Sequence, residues 1–145
     1  MEKSLSNAQR VQLKYQLMLH RQKLYNNKYL SECAFCGQGI EGAPDMHEVF
    51  FTKGDVARGN EEMHYLLSTN ANCVLVHPGG NASPCHAGAA TKDGQKIVIK
   101  HLLKWEGYEE LGAYIAIVRF FMKDQNRALD AYRLLKEVYD EMQSM

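Results

Sequence analysis

Two thiols in Cys33-Ala-Phe-Cys36, followed by His77 and Cys85, constrain this chain more than anything else in it. A C-x2-C turn lets two sulfurs face one ion, and a tetrahedral zinc site needs two further ligands. His77 and Cys85 supply them from either side of the Pro78-Gly-Gly-Asn-Ala-Ser-Pro84 loop. Cys73 competes for the fourth position. On an extended strand Cys73 and His77 share a face but lie about 13 Å apart, too far to reach one ion together. His77 sits at the turn beside Cys85, so it is taken as the ligand and Cys73 as a buried thiol. His47, Glu48 and His86 are then left over, ligand-type residues beside a closed zinc site.

The order of these pieces resembles the HNH endonucleases, the ββα-metal nucleases. The elements that carry the resemblance are Cys33/Cys36, Asp45-Met-His47-Glu48-Val-Phe, Asn72-Cys-Val-Leu-Val-His77 and Cys85-His86. They cover roughly residues 33–92. Three features differ from the family's common pattern: the pair is His-Glu, the second knuckle is His77-x7-Cys85, and no further His follows His86 in the next turn.

The resemblance implies that His47 and His86 hold a catalytic divalent ion, Mg2+ or Mn2+, separate from the structural Zn2+. Successive residues of an extended segment point opposite ways. Cys85 and His86 likewise diverge, so Cys85 can close the zinc site while His86 turns toward the second ion. Two protein ligands leave positions open for water and a phosphate oxygen, as catalytic metals require. Asn72, carried over from the family, stiffens the hairpin loop through backbone hydrogen bonds. The second member of the pair, Glu48, takes the place of the general base. Making His47 the base instead puts Met46 at the ligand position, and a thioether suits neither Mg2+ nor Mn2+. An H-E-x-x-H zinc protease is excluded, because Phe51 occupies the second His position. His64 and His101 have no evident partner.

Composition sets the outer bounds. At 145 residues, with 46% apolar and 23% charged side chains, the chain has the size and makeup of one globular domain. No apolar run approaches the roughly 20 residues of a membrane span. Charges at Lys3, Arg10, Lys14 and Arg21 interrupt any secretory leader. A cytoplasmic protein with metal-binding rather than disulfide-forming cysteines is the expectation. Net charge is zero, but residues 1–30 carry six bases against Glu2, whereas eight acids face five bases from Trp105 onward. A basic segment beside a metal site suits phosphate-backbone contact, with DNA as the expected partner. Lys53, Arg58, Lys92 and Lys96 are further candidate phosphate contacts.

Periodicity predicts a helix over 6–26, with Val11, Tyr15, Met18 and Leu19 on one face. Residues 33–44 read as loop, Asp45–Phe51 and Cys73–His77 as strands, and Glu61–Leu67 as a helical turn. A short helix is expected from Cys85 through Ala87-Gly-Ala-Ala. Ile97–Ile99 reads as either strand or helix. Two apolar helical patterns follow at Tyr108–Met122 and Ala128–Met142, the second through Leu129, Tyr132, Leu135, Lys136 and Tyr139, with Asp124 or Asn126 as its N-cap.

The whole therefore reads as one α+β domain over residues 1–145: a basic N-terminal helix (1–30), a zinc-stapled ββα-metal core (31–95) and C-terminal helices (96–145). The expected activity is metal-dependent hydrolysis of phosphodiester bonds in DNA. Two alternatives stand beside it. One is a catalytically inactive HNH-like module that binds nucleic acid or a protein partner. The other is a zinc-stabilised interaction domain acting through its C-terminal helical pair.

Overall fold

Strand β1 (Asp45–Glu48) and strand β2 (Cys73–Val76) pair antiparallel, with Asp45 opposite Val76, His47 opposite Val74 and Glu48 opposite Cys73. They belong to a computed structural model that describes residues 32–144 apart from 43, 61–63, 65 and 68–70, and apart from the side chain of Asn81. The N-terminal helix expected over 6–26 lies outside the described residues, as does part of the turn at 61–67.

Alternation along the hairpin gives its two faces different neighbours. Val74 and Val76 join the main apolar core, whereas Cys73 and Leu75 form a small separate cluster with Ile40 and Met46. Asp45 and His47 therefore share the face that turns to the helices, and Met46 and Glu48 share the other. The first strand is shorter than the sequence reading of Asp45–Phe51. Phe50 and Phe51 leave the ladder because the Asn72 side chain, not a neighbouring strand, takes both their amides.

Four helices follow. Helix α1 (Pro84–Ala89) starts at an N-cap, Ser83, whose hydroxyl accepts from the His86 amide, and Pro84 occupies the first turn where no amide partner is needed. Helix α2 (Lys92–Glu106) is capped by Thr91 and stops at Gly107, which has φ of 83°. This resolves Ile97–Ile99 as helix: Val98, Ile99, Leu102 and Leu103 form its buried stripe. It also runs across the boundary expected at 95/96. Helix α3 (Tyr108–Val118) buries Leu111, Tyr114, Ile115 and Val118, then tightens into a 3-10 turn at Arg119–Phe121.

Helix α4 (Gln125–Gln143) is capped by Asp124, whose carboxylate accepts from the Asn126 amide. Its buried stripe is Ala128, Ala131, Leu135 and Val138, not the one read through Leu129 and Tyr132. Those two side chains are 44% and 41% exposed. The small alanines let α4 lie close to its neighbours, and periodicity alone weighted the larger residues instead. Among the described residues no helix is long and apolar enough to cross a membrane.

Helices α1 and α2 meet almost backbone to backbone. A Cβ at Gly94 would stand 1.8 Å from the Gly88 carbonyl oxygen, and one at Gly88 would meet the Phe35 ring at 2.5 Å. In an open helix, Gly→Ala stabilises by roughly 1 kcal/mol. Here the clash reverses the sign. Gly94→Ala is expected to destabilise the protein by about 1–3 kcal/mol in urea unfolding, and an increase in stability would show that the two helices do not approach this closely.

Candidate metal centre and adjoining histidine pair

The first knuckle is shaped by backbone bonds around Cys33. Its amide donates to the Gln38 carbonyl at 2.8 Å and its carbonyl accepts from the Gly37 amide at 2.8 Å. The Ala34 amide donates to the Leu75 carbonyl at 2.9 Å, fixing the knuckle to β2. That strand delivers His77 at its end, and the Gly79–Ser83 turn delivers Cys85 into α1. The result is a cluster of Cys33, Cys36, His77 and Cys85 whose ligand atoms all lie within 4.8 Å of one another. Three thiols and an imidazole can hold a metal such as zinc.

His77 is turned for that purpose. Its Nε2 lies 3.2 Å from the Gly39 carbonyl oxygen, while Nδ1 lies 3.5 Å from both Cys36 Sγ and Cys85 Sγ. A carbonyl can only accept, so the ring proton sits on Nε2 and the Nδ1 lone pair faces the sulfurs. This is the outer-shell arrangement that orients ligating histidines. The sulfurs differ among themselves. Burial raises the Cys33 thiol, but backbone hydrogen bonds at Cys36, His77 and Phe35 outweigh it and bring the group down to about 7. Burial and the neighbouring Cys36 and Cys33 sulfurs push Cys85 up to about 12. Three thiolates crowded together repel, and a cation among them reverses that penalty. Cys73 stays apart: fully buried, it donates its Sγ hydrogen to the Leu67 carbonyl at 2.9 Å.

Beside this cluster, β1 and α1 bring two imidazoles together. The His47 and His86 rings are 5.7 Å apart between centroids and nearly perpendicular. His86 Nδ1 lies 2.9 Å from Asp45 Oδ2, which also accepts from the Gly79 and Gly80 amides at 3.1 and 2.8 Å. The His86 hydrogen bond, followed by that of Gly80, holds the Asp45 carboxyl below its usual range. With Nδ1 engaged, His86 presents Nε2. His47 is half-buried, and its Nε2 is buried with no hydrogen-bond partner. Burial, then the His86 charge, lowers its pKa. An orphaned imidazole nitrogen on a ring 5.7 Å from a second imidazole is a donor set that fits a cation.

Asn72 is fully buried and bonded on every side. Its Oδ1 accepts from the Phe50 and Phe51 amides at 2.9 and 3.0 Å, and its Nδ2 donates to the Phe51 and Leu67 carbonyls at 2.9 and 3.0 Å. Glu48 is not brought into the same group. It lies on the opposite face of β1 from His47, with no hydrogen bond to either imidazole. Burial raises its pKa, Lys53 opposes that, and Asp55 adds to it. Lys96 is engaged elsewhere, pairing with Glu137 and Glu141 of α4. Asp45, which the sequence motif includes without a role of its own, is the residue that orients His86. The signal was present: Asp-x-His on a strand puts both side chains on one face.

No family model, curated protein or solved structure matches the chain.

Proposed function

We propose that this protein is a metal-dependent endonuclease of the HNH type, hydrolysing phosphodiester bonds in DNA. The observation that carries the reading is the meeting of His47 and His86 on the helix-facing side of the hairpin, His47 Nε2 unpartnered and His86 anchored through Nδ1. The β1–β2–α1 order and the Asn72 clamp support it. In this proposal Cys33, Cys36, His77 and Cys85 hold a structural Zn2+, while His47 and His86 hold Mg2+ or Mn2+. A divalent ion there supplies Lewis-acid stabilisation of charge on the scissile phosphate and the leaving 3′-oxygen. Asp45 keeps His86 in one orientation. Asn72 keeps the end of β1 in place. Glu48, at the position the resemblance gives to the general base and with its carboxyl raised by burial, would have to turn from the far face of β1 to accept the proton of the attacking water. The products are 5′-phosphate and 3′-hydroxyl ends.

A second reading is a catalytically inactive module of the same type that binds nucleic acid. The direction of Glu48, away from the histidine pair, favours it. Nicking of supercoiled plasmid in Mg2+ or Mn2+ separates the two. His47→Ala and His86→Ala should each abolish cleavage while retaining the bound zinc, and Glu48→Gln should lose about 10²–10⁴-fold in rate. Wild-type nicking by both histidine variants would remove these residues from the chemistry. A wild type that binds DNA yet fails to cut it in either Mg2+ or Mn2+ would select the second reading. A silent Glu48→Gln would take Glu48 out of the mechanism alone.

A further inference from the structure

The segment that follows β1 is held from two directions. Asn72 binds it from the β2 side, taking the Phe50 amide. From the other side the C-terminal helices take the Phe50 carbonyl, through Arg127 Nη2 at 2.6 Å. Arg127 also donates through Nε to Asp55 Oδ1 at 3.1 Å and through Nη2 to Asp55 Oδ2 at 3.3 Å. Its guanidinium lies 5.9 Å from the centre of the Phe51 ring. The same Asp55 carboxylate receives the Thr52 amide at 2.9 Å, and its backbone carbonyl receives the Lys123 amide at 2.9 Å. Two residues on, the Ala57 amide donates to the Phe121 carbonyl at 2.7 Å, beside a bridge between Val56 and Met122.

We propose that Arg127 is a positioning residue for the His47–His86 site: through the Phe50 carbonyl and Asp55 it locks the segment at the end of β1 from a helix otherwise remote from the chemistry. The catalytic consequence rests on the endonuclease reading; the positioning itself does not. A guanidinium suits this role because its planar fork binds a carboxylate and a carbonyl at once, in one geometry. The burial of Asp55 raises its carboxyl, and Arg127 with Thr52 more than offsets this, leaving it below its usual range. The carboxylate is therefore charged and the fork is held. The C-terminal helices thus form part of the site's frame.

Two readouts on the full chain test this. Arg127→Met, Arg127→Lys, Asp55→Asn and Lys136→Met are compared with wild type. The last breaks only the exposed Lys136–Asp140 pair on the same helix and serves as the reference. Amide hydrogen exchange reads the frame, and plasmid nicking reads the chemistry. Arg127→Met should speed exchange at Phe50 and Phe51 about tenfold or more. It should also lower kcat about 10–100-fold, the cost of a small misplacement, with KM within about twofold. Arg127→Lys should recover part of both, and Asp55→Asn should give a milder loss of the same kind. Unchanged exchange at Phe50 and Phe51 in Arg127→Met overturns the proposal, as does a fall in kcat matched by Lys136→Met. If Arg127→Met does not fold, Asp55→Asn decides by the same criteria. If the wild type cleaves nothing, the endonuclease reading falls and the exchange comparison alone decides the positioning role.

Discussion

If the Cys33, Cys36, His77 and Cys85 cluster holds zinc as proposed, chelation should unfold the hairpin and α1, and Cys33→Ser or Cys85→Ser should prevent them from forming. The reason is one of scale. Structural zinc contributes about 10–16 kcal/mol in small zinc-binding peptides, whereas a whole domain has a net stability of roughly 5–15 kcal/mol. The sheet beside the cluster has two strands of four residues each, too little to stand alone. Cys33 and Cys36 would reach an ion from the knuckle, His77 from the end of β2 and Cys85 from α1, so one ion there would join three separate stretches. His77→Ala should also lose the metal. Cys73→Ser should keep it at a cost of about 1 kcal/mol, since a hydroxyl can still donate to the Leu67 carbonyl. Elemental analysis with circular dichroism reads both. Loss of the metal by Cys73→Ser and its retention by His77→Ala would show the ligand set to be wrong.

Asn72→Ala is expected to cost about 3–5 kcal/mol, which is exceptional for one truncation. The alanine leaves the Phe50 and Phe51 amides and the Phe51 and Leu67 carbonyls without their side-chain partner. Each buried polar group left unsatisfied costs about 1–3 kcal/mol, less where water reaches it. Asn72→Asp is an informative companion. It keeps the acceptor for two amides, loses both donors and buries a charge. Urea unfolding should place both variants well below wild type. A wild-type midpoint for Asn72→Ala would mean that the loop does not depend on this side chain.

The parts of this architecture that were legible in the sequence rest on local rules. The C-x2-C turn, the apolar stripe of α3 and the Asp124 cap each follow from spacing within a few residues. Helix α2 was hidden because Ile97, Val98 and Ile99 are β-branched and Gly94 interrupts its first turn, both disfavouring helix locally. Packing overrode those preferences: the glycine is what permits contact with α1. On α4 the buried alanines were overlooked in favour of Leu129 and Tyr132, because hydrophobicity scales weight size while close helix packing selects smallness. Asp45 was seen only as a neighbour of His47. Its partners, the Gly79 and Gly80 amides and His86, lie more than thirty residues away, and nothing local announces them. A still longer separation, 72 residues, hides the Arg127–Asp55 contact.

The hairpin is short enough that its pairing is a choice between two proteins. Cys73-Val-Leu-Val76 is apolar and buried on both faces, so the strand itself does little to forbid a slip of one residue. Such a slip would reverse β1, presenting Met46 and Glu48 to the helices and sending Asp45 and His47 to the far side. What selects the observed pairing lies at its ends. Asn72, immediately before β2, grips the two phenylalanines beyond β1, and Asp45, at the start of β1, grips the two glycines beyond β2. These side-chain bonds act as a frame-setting code for strands too short to encode their own frame. Which face of β1 meets the helices is thus decided by bonds made beyond the ladder, and a slipped copy would differ from the observed one by a single step of the backbone.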